Sequence, residues 1–215
     1  MIVIDSKTTD PKNIYNLLIG CIVPRPIAFV SSISIDGKNN LAPFSFFMGV
    51  GNNPPSLAFS VTKRGSDGSM KDTTRNIEQT KEFVVNIVTE EIGEQMNFTS
   101  AEFSPDIDEF LVGGFTPIPS DLVKPLRVKE SPVNMECQLM QIVNVGDAQK
   151  GSSIIIGEIL RFHIEEKLFD NYRIDISKMH PIGRLAGNSY SRTRDIFDLT
   201  RPSSDILLQK IKSFS

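Results

Sequence analysis

Short β-rich runs alternate with a few helical segments along this chain. The run 27–35 is rich in β-branched residues, and its second half alternates serine with isoleucine, which is the period-two pattern of a strand. Asp36-Gly37 follows it and is a hairpin signal, so we expect the chain to return antiparallel to this strand. Further strands are predicted over 40–50, 57–61, 83–88, 133–145 and 153–164.

Helices are predicted where capping residues precede an apolar stripe. Asp10 and Pro11 begin the first helix, which ends at Gly20. The other predicted helices are a short one capped by Asp72 or Thr73 and ended at 80–81, one over 90–97, and one opened by the capping-box-like sequence Ser104-Pro105-x-x-Asp108 and ended at Gly113-Gly114. From residue 178 onwards the pattern is irregular.

Consecutive strands of this pattern are joined by tight turns rather than by crossover helices. This arrangement disfavours a βαβ nucleotide-binding fold. It favours antiparallel strands that close into a barrel, with the helices packed outside. The chain has no internal repeat and no obvious linker, so residues 1–215 are predicted to form a single domain.

Composition and charge narrow the possible partners. The formal net charge is -3, so no overall field favours nucleic acid or an anionic membrane. Residues 1–7 lack the pattern of a signal peptide, and the most apolar window, 41–50, is too short to cross a bilayer, so we expect a cytoplasmic protein. With two cysteines, two histidines and no Cys-x-x-Cys or His-Glu-x-x-His sequence, we expect neither a disulfide framework nor a dedicated metal site.

The common nucleotide-binding and catalytic motifs are missing. Segment 49–54 begins like a dinucleotide fingerprint, but proline replaces its third glycine and a turn follows it. Segment 65–71 lacks the spacing of a Walker loop. The chain contains no Gly-x-Ser-x-Gly sequence and no histidine that could be placed in a triad, so no catalytic residue is predicted.

Polar residues embedded in apolar surroundings form the candidate site, at 31–32, 40–47, 71–74 and 183–190. Each has a structural alternative. Strand serines commonly face solvent, and phenylalanines commonly belong to a core or a dimer contact. Lys71 near a helix start opposes the helix dipole unless an anion lies there. Arg184 could as easily form a surface ion pair.

Taken in order, these segments resemble a known family. The chain contains Pro24-Arg-Pro-Ile-Ala, Ser31-Ser with Asp36-Gly, Asn40-Leu-Ala-Pro-Phe-Ser-Phe-Phe, Asn53-Pro-Pro-Ser, Lys71-Asp-Thr-x-x-Asn76, Glu82-Phe-Val-Val-Asn86 and Gly183-Arg-Leu-Ala-Gly-x-x-Tyr190. This ordered set resembles the flavin reductase-like, FMN-binding split-barrel proteins, and the flavoredoxin branch among them. The resemblance runs from about residue 17 to residue 190 and leaves 191–215 as a C-terminal extension.

The resemblance implies a mainly β fold, a six-stranded antiparallel Greek-key split barrel with a few flanking helices. It also implies a homodimer with the flavin at or near the subunit interface. The cluster Phe44, Phe46, Phe47 and Met48 agrees with a dimer, because it offers more apolar surface than one short strand normally buries alone.

The resemblance further implies a set of cofactor-binding residues. Segment 42–47 would lie along the isoalloxazine ring, and 31–32 and 71–73 would reach the flavin or its phosphate. A cation or a backbone N–H near ring atom N1 would favour the anionic reduced flavin, and Arg25 and Arg184 are the two candidate cations. The full expected set is Arg25, Ser31, Ser32, Ala42, Pro43, Phe44, Ser45, Phe46, Phe47, Lys71, Asp72, Thr73, Asn76, Arg184, Gly187, Asn188 and Tyr190.

Three functions remain open from the sequence. The first is an FMN-dependent oxidoreductase of the flavin reductase type that takes a hydride from NADH or NADPH. The second is an electron-transfer flavoprotein that holds FMN tightly and receives electrons from a redox protein partner. The third is a non-enzymatic module that binds a flavin or a tetrapyrrole, since fold alone does not determine function.

Overall fold

The structure of the protein is a computed structural model, and it describes residues 1–147, 150–204 and 208. In chain order its helices and strands are α1 (Pro11–Cys21), β1 (Ala28–Ile33), β2 (Asn39–Phe44), β3 (Phe47–Asn52), β4 (Pro55–Thr62), α2 (Asp72–Thr80), β5 (Glu82–Ile87), α3 (Gly93–Phe98), α4 (Glu109–Gly113), β6 (Pro117–Ile118), β7 (Arg127–Val128), β8 (Val133–Val145), β9 (Ser152–Ile164), β10 (Phe169–Asp170), β11 (Arg173–Ile174), α5 (Ile176–Met179), β12 (Ile182–Arg184) and β13 (Tyr190–Arg192).

Seven strands form one antiparallel sheet in the order β2-β1-β5-β8-β9-β4-β3. Its outer strands, β2 and β3, are separated in the chain only by Ser45 and Phe46, so the chain itself joins the two edges into a barrel. If β2 and β3 are counted as one interrupted strand, the barrel has the six strands that the resemblance implies. Strand β5 returns beside β1 after the β1–β4 hairpins, which is the Greek-key order. The predicted mainly β, antiparallel split barrel is confirmed.

The strand predicted over 40–50 is two strands in the structure. Up to Phe44 the chain pairs with β1, and from Phe47 it pairs with β4. The Phe46 carbonyl already accepts a hydrogen bond from the Ser60 N–H at 2.8 Å, so the change of partner takes place at Ser45. Apolar residues continue on both sides of this point, and the hydrophobic pattern therefore carries no signal for the break.

Strand β2 turns one edge of its backbone away from β1. On this edge the Leu41 N–H donates to Glu109 Oε2 at 3.2 Å. Because alternate residues of an antiparallel strand direct their backbone groups to the same side, Pro43 also lies on this edge. A proline is tolerated there because no neighbouring strand needs its missing N–H. The sheet ends at this edge, so the Pro43 backbone, which is paired with Phe29 on its other side, faces no strand of the described chain here.

Strand β1 is buried on both faces. Ala28 and Val30 face the barrel interior. Phe29 faces a second core beneath α3 and α4, where its ring centroid lies 5.2 Å from that of Phe115. This burial continues to the end of the strand, so the serine pair 31–32 is buried and the solvent-face alternative for these serines is wrong.

Helix α1 begins as predicted. Asp10 Oδ1 accepts from the Lys12 N–H at 2.8 Å, and Pro11 occupies the first turn. None of its residues is buried, and Leu18 is 44% exposed. The apolar stripe of α1 therefore remains largely accessible on a single chain.

Two predicted helix starts are wrong by a few residues. Lys71 occupies the N-cap position of α2, and no side chain caps this helix, so 72–73 lies inside its first turn. Helix α4 begins after Asp108, whose carboxylate accepts from the Phe110 N–H at 2.9 Å. The predicted start at 104–105 instead lies in a separate turn. Asp108, directly before the helix, is the residue that caps the free N–H groups of its first turn.

Later elements follow the sequence pattern more closely. The two long predicted strands are confirmed as β8 and β9, whereas 90–97 is divided between a 3-10 turn at Glu90–Ile92 and α3. The segment predicted as irregular contains the β12–β13 hairpin. Residues 148–149 of the β8–β9 loop, and 205–207 and 209–215 of the predicted extension, lie outside the described residues. Within the described residues, we find no helix with the length and apolar character needed to span a bilayer.

Candidate functional site

A groove follows the outer edge of β2. Two adjoining cavities form it, and Pro43 and Ser100 line both of them. One cavity extends to Lys71 at the start of α2, and the other extends to Arg184 on β12. We call the combined surface of these two cavities the β2 groove. The predicted site residues that line it are Ala42, Pro43, Phe44, Ser45, Lys71, Asp72, Thr73, Arg184 and Tyr190.

Lys71 is a half-buried cation at one end of the β2 groove. Its ammonium lies 5.9 Å from the centroid of the Phe44 ring, and it forms no hydrogen bond or ion pair within 1–147, 150–204 and 208. Burial lowers the pKa of Lys71, an effect that the nearby Glu102 carboxylate opposes. Lys71 is also the N-cap residue of α2, at the positive end of the helix dipole. A bound anion would relieve both unfavourable effects.

The neighbouring Asp72 does not neutralise Lys71. Its carboxylate forms ion pairs with Arg64 and with Arg75, the latter at 2.5 Å. Both arginines therefore direct their charge to Asp72, which is only 11% exposed in its side chain. This leaves Lys71 as the cation that this end of the groove can offer to a ligand.

A buried hydrogen-bond network lies behind the Lys71 end. Asn40 Nδ2 donates to Ser32 Oγ at 3.1 Å and to Thr73 Oγ1 at 2.9 Å, and Asn76 Nδ2 donates to Ser32 Oγ at 3.2 Å. Ser31 Oγ donates separately to the Leu126 carbonyl at 2.5 Å. These predicted site residues are thus hydrogen-bonded within the protein, where they join β1, β2 and the first turn of α2. Their direct contact with a flavin stays a prediction.

The opposite end of the groove is built by the β12–β13 hairpin. The Arg184 guanidinium carbon lies 4.5 Å from the centroid of the Tyr190 ring, and Arg184 Nη2 donates to the Gly187 carbonyl at 2.6 Å. The Tyr190 hydroxyl donates to Asn97 Oδ1 at 3.0 Å. Gly187 has φ of +58°, a left-handed conformation that glycine adopts without strain. Asn188 is exposed in the same turn.

Arg25 lies behind the groove wall rather than inside it. Its Nη1 donates to the carbonyls of Ile19 at 2.7 Å and Ile22 at 2.8 Å, and its Nη2 donates to the Leu185 carbonyl at 3.0 Å. Its Nε reaches Ser45 Oγ at 3.3 Å. Arg25 is therefore engaged with the protein itself, and of the two arginines predicted near a flavin ring only Arg184 lines the groove.

The predicted run 42–47 is divided by the break at Ser45. Residues before the break line the β2 groove, although the Phe44 ring also packs in the barrel core 5.4 Å from Phe59. Phe46 and Phe47 lie beyond the break and line a separate apolar cavity against the end of α1. The structure therefore does not bring all six residues to one surface, because the chain changes strand partner at this position.

Glu109 is a groove residue that the sequence reasoning missed. It lines both the β2 groove and a neighbouring polar cavity, and burial raises the pKa of its carboxyl to about 7. Ser100, at the centre of the groove, was missed as well. Neither residue lies in a segment that the ordered motifs include, so no motif marked them.

A cluster of possible metal-ligating groups lies outside the groove. Ligand atoms of Asp121, Glu136 and His163 come within 4.8 Å of one another. The buried Glu136 carboxylate, however, accepts from the backbone N–H groups of 121–123 and contacts His163 Nε2 at 2.5 Å. Its acceptor capacity is used within the protein, and the cluster holds the turn at 121–123 against β8.

Comparison with sequence families and relatives gives one consistent result. A model described as the flavin reductase like domain matches residues 19–180. An uncharacterized protein of Aquifex aeolicus (strain VF5) is 46% identical over 185 residues, which cover 86% of this chain and 92% of that protein.

Solved structures share the fold over nearly the whole chain. Nitrilotriacetate monooxygenase component B from Bacillus cereus superposes with a TM-score of 0.89 and 37% identity, covering 93% of this chain and 98% of that chain. Pseudomonas fluorescens 2-nitrobenzoate 2-nitroreductase NbaA superposes with a TM-score of 0.85 and 34% identity, covering 94% and 98%. Flavoredoxin of Desulfovibrio vulgaris (Miyazaki F) has a TM-score of 0.71, covers 86% and 94%, and at 22% identity shows the fold alone.

Proposed function

Because the chain belongs to the flavin reductase-like family, as its ordered motifs predict, we propose that it binds one FMN per subunit in the β2 groove and accepts a hydride for it from NADH or NADPH. The observation that carries this proposal is Lys71, which is half-buried and unpartnered in the described part of the chain. A terminal phosphate carries nearly two negative charges and is an anion that this position suits.

The groove residues fit a flavin in their donor chemistry. Lys71 and the backbone N–H groups at the start of α2 would hold the phosphate. The backbone edge of β2 at Pro43 and Ser45 would lie along the ring, and Arg184 stacked on Tyr190 would close the far end. A bound flavin supplies the redox chemistry itself, so the chain needs groups that bind, orient and exclude water, and needs no nucleophile.

The buried predicted residues would act on this site through others. Ser32 fixes Asn40 and Asn76 relative to each other, and Asn40 holds the Thr73 hydroxyl in the first turn of α2. This network sets where Lys71 lies relative to β2. We therefore propose that Ser32, Thr73 and Asn76 are positioning residues for the phosphate end, whereas Ser31 holds β1 to the chain at Leu126.

Two alternatives differ in how electrons reach the flavin. Two solved relatives above 30% identity are named as a monooxygenase component and as a nitroreductase, which favours an oxidoreductase over a non-enzymatic module. An electron-transfer flavoprotein would instead be reduced by a protein partner. A non-enzymatic binding module would hold a flavin or a tetrapyrrole without being reduced by either.

We expect the purified protein to be yellow, with near-stoichiometric FMN and little FAD, because the groove offers one phosphate-binding end. Anaerobic addition of NADH or NADPH should bleach the visible absorbance of the bound flavin. Bleaching only by a reduced redox protein would favour the electron-transfer alternative. Protein that stays colourless when FMN is titrated in would contradict the proposal altogether.

We also propose a two-fold symmetric dimer, supported by apolar surface on two adjacent elements. Helix α1 has no buried residue, and on β3 Met48 is 61% exposed and Val50 is 52% exposed. The predicted contact needs one correction, because Phe44 belongs to the barrel core and is not available to a partner. Light scattering should give twice the chain mass of 23.9 kDa, and a monomer that retains full FMN affinity would contradict the dimer.

A further inference from the structure

Two loops meet at the Lys71 end of the β2 groove. One connects β4 to α2, and the other lies at 99–103, between α3 and α4. Across this junction the Gly65 N–H donates to Glu102 Oε1 at 2.9 Å, and Arg64 Nη1 donates to the Phe103 carbonyl at 3.3 Å. We call these two contacts the clasp.

The clasp is also connected to the first turn of helix α2. Arg64, whose side chain is 15% exposed, also pairs with Asp72 in the first turn of α2. It therefore ties the β4–α2 loop to the helix on one side and to the 99–103 loop on the other. The Glu102 carboxylate is exposed, and the Gly65 N–H holds its pKa below the usual value, so it is charged at neutral pH.

The position of the clasp relative to Lys71 bears on which flavin can bind. Both loops contribute lining residues to the cavity that contains Lys71, namely Arg64, Glu102 and Phe103. A ligand that ends in a phosphate at Lys71 stays within this cavity. A ligand that continued beyond such a phosphate would meet the lining that both loops contribute, where they are tied together.

We propose that the clasp selects a mononucleotide flavin over a dinucleotide flavin, and that Glu102 is the residue that determines this specificity. FMN ends at its phosphate, whereas FAD continues through a second phosphate to adenosine. The inference rests on the proposed function, since it takes the phosphate of a bound flavin to lie at Lys71.

The test compares Glu102→Ala with Glu102→Gln. Alanine removes the acceptor for the Gly65 N–H, whereas glutamine keeps a carbonyl acceptor and removes only the charge. Dissociation constants for FMN, FAD and riboflavin are measured by fluorescence quenching for the wild type and both variants. Loss of one charge-assisted hydrogen bond corresponds to about tenfold in an equilibrium constant. We therefore expect Glu102→Ala to reduce the preference for FMN over FAD by about tenfold, and Glu102→Gln to keep most of it.

The ratio of the FAD and FMN dissociation constants distinguishes the effect of the clasp from the effect of the Glu102 charge. Removing the Glu102 charge should strengthen FMN and FAD alike, because both carry phosphate, so this effect largely cancels in the ratio. Riboflavin has no phosphate and reports on the ring end of the groove. Since Glu102 is exposed, thermal unfolding should be nearly unchanged in both variants.

The possible outcomes distinguish this inference from the proposed function. An unchanged preference for FMN over FAD in Glu102→Ala would overturn the role of the clasp. An equal decrease of this preference in both variants would also overturn it, because the effect would then belong to the charge. Wild-type protein that binds none of the three flavins would overturn the proposed function first, and the inference with it.

Discussion

Replacing Glu136 by glutamine should lower the free energy of unfolding by about 3 kcal/mol, because it breaks a buried charge-assisted network. The Glu136 side chain is fully buried, and its carboxylate accepts from the N–H groups of Asp121 at 2.9 Å, Leu122 at 2.6 Å and Val123 at 3.2 Å. It also contacts His163 Nε2. The amide nitrogen of glutamine cannot accept, so at least one of these donors would lose its partner in a buried position.

The same turn offers a matched control for this prediction. Glu82 Oε2 accepts a single backbone N–H, that of Lys124, at 2.9 Å near the protein surface. Glu82→Gln should therefore cost about 1 kcal/mol or less. Urea unfolding of both variants at one pH measures the difference. Equal losses would show that the carboxylate network at Glu136 contributes no more than one ordinary surface contact.

Replacing Lys71 by alanine should weaken FMN binding by about tenfold or more, because it would remove the charge-assisted contact that we propose with the phosphate. Riboflavin should lose much less affinity, since it has no phosphate. Folding should be nearly unaffected, because the Lys71 ammonium makes no ion pair or hydrogen bond in the described part of the chain and its charge opposes the α2 dipole. Fluorescence quenching with both flavins measures these affinities.

A lysine at the other end of the same helix provides the control. Lys81 occupies the C-cap position of α2 and is exposed, so Lys81→Ala should leave both flavin affinities unchanged. Equal losses of FMN and riboflavin in Lys71→Ala would mean that Lys71 acts on the ring or on the fold. No loss for either flavin would return Lys71 to the role of a surface residue.

The barrel could be predicted from sequence where local signals are strong. β-branched alternation, the Asp36-Gly37 turn and the two long apolar runs each correspond to observed strands and hairpins. The break at Ser45 could not, because it depends on which strand lies next to the chain, and this is a property of the assembled sheet. The burial of 31–32 was missed for a similar reason, since a second core covers the face that a lone sheet would leave in water.

The candidate site also contains residues that sequence motifs could predict and residues that only the packing of the chain brings there. The ordered motifs assign Lys71, Pro43 and Arg184 to one site, and in the structure all three line the β2 groove. They do so although Arg184 is far from the other two along the chain. Glu109 and Ser100 enter the groove because α3 and α4 pack against β2, a contact that no sequence motif records. Arg25 was expected near the flavin ring as one of two candidate cations, whereas in the structure its guanidinium donates to three backbone carbonyls.

Arg25 also determines when the site can be completed during synthesis. Its guanidinium joins the end of α1 to the Leu185 carbonyl, 160 positions away, and its backbone exchanges hydrogen bonds with Arg184 at 3.0 and 2.8 Å. Contacts of such high contact order form late, because a long loop must close first. During synthesis on the ribosome, the contacts of Arg25 with Arg184 and Leu185 therefore cannot form until residue 185 has emerged. A chain stalled before that point would hold Arg25 only by its contacts with Ile19, Ile22 and Ser45 and would lack the Arg184 end of the β2 groove.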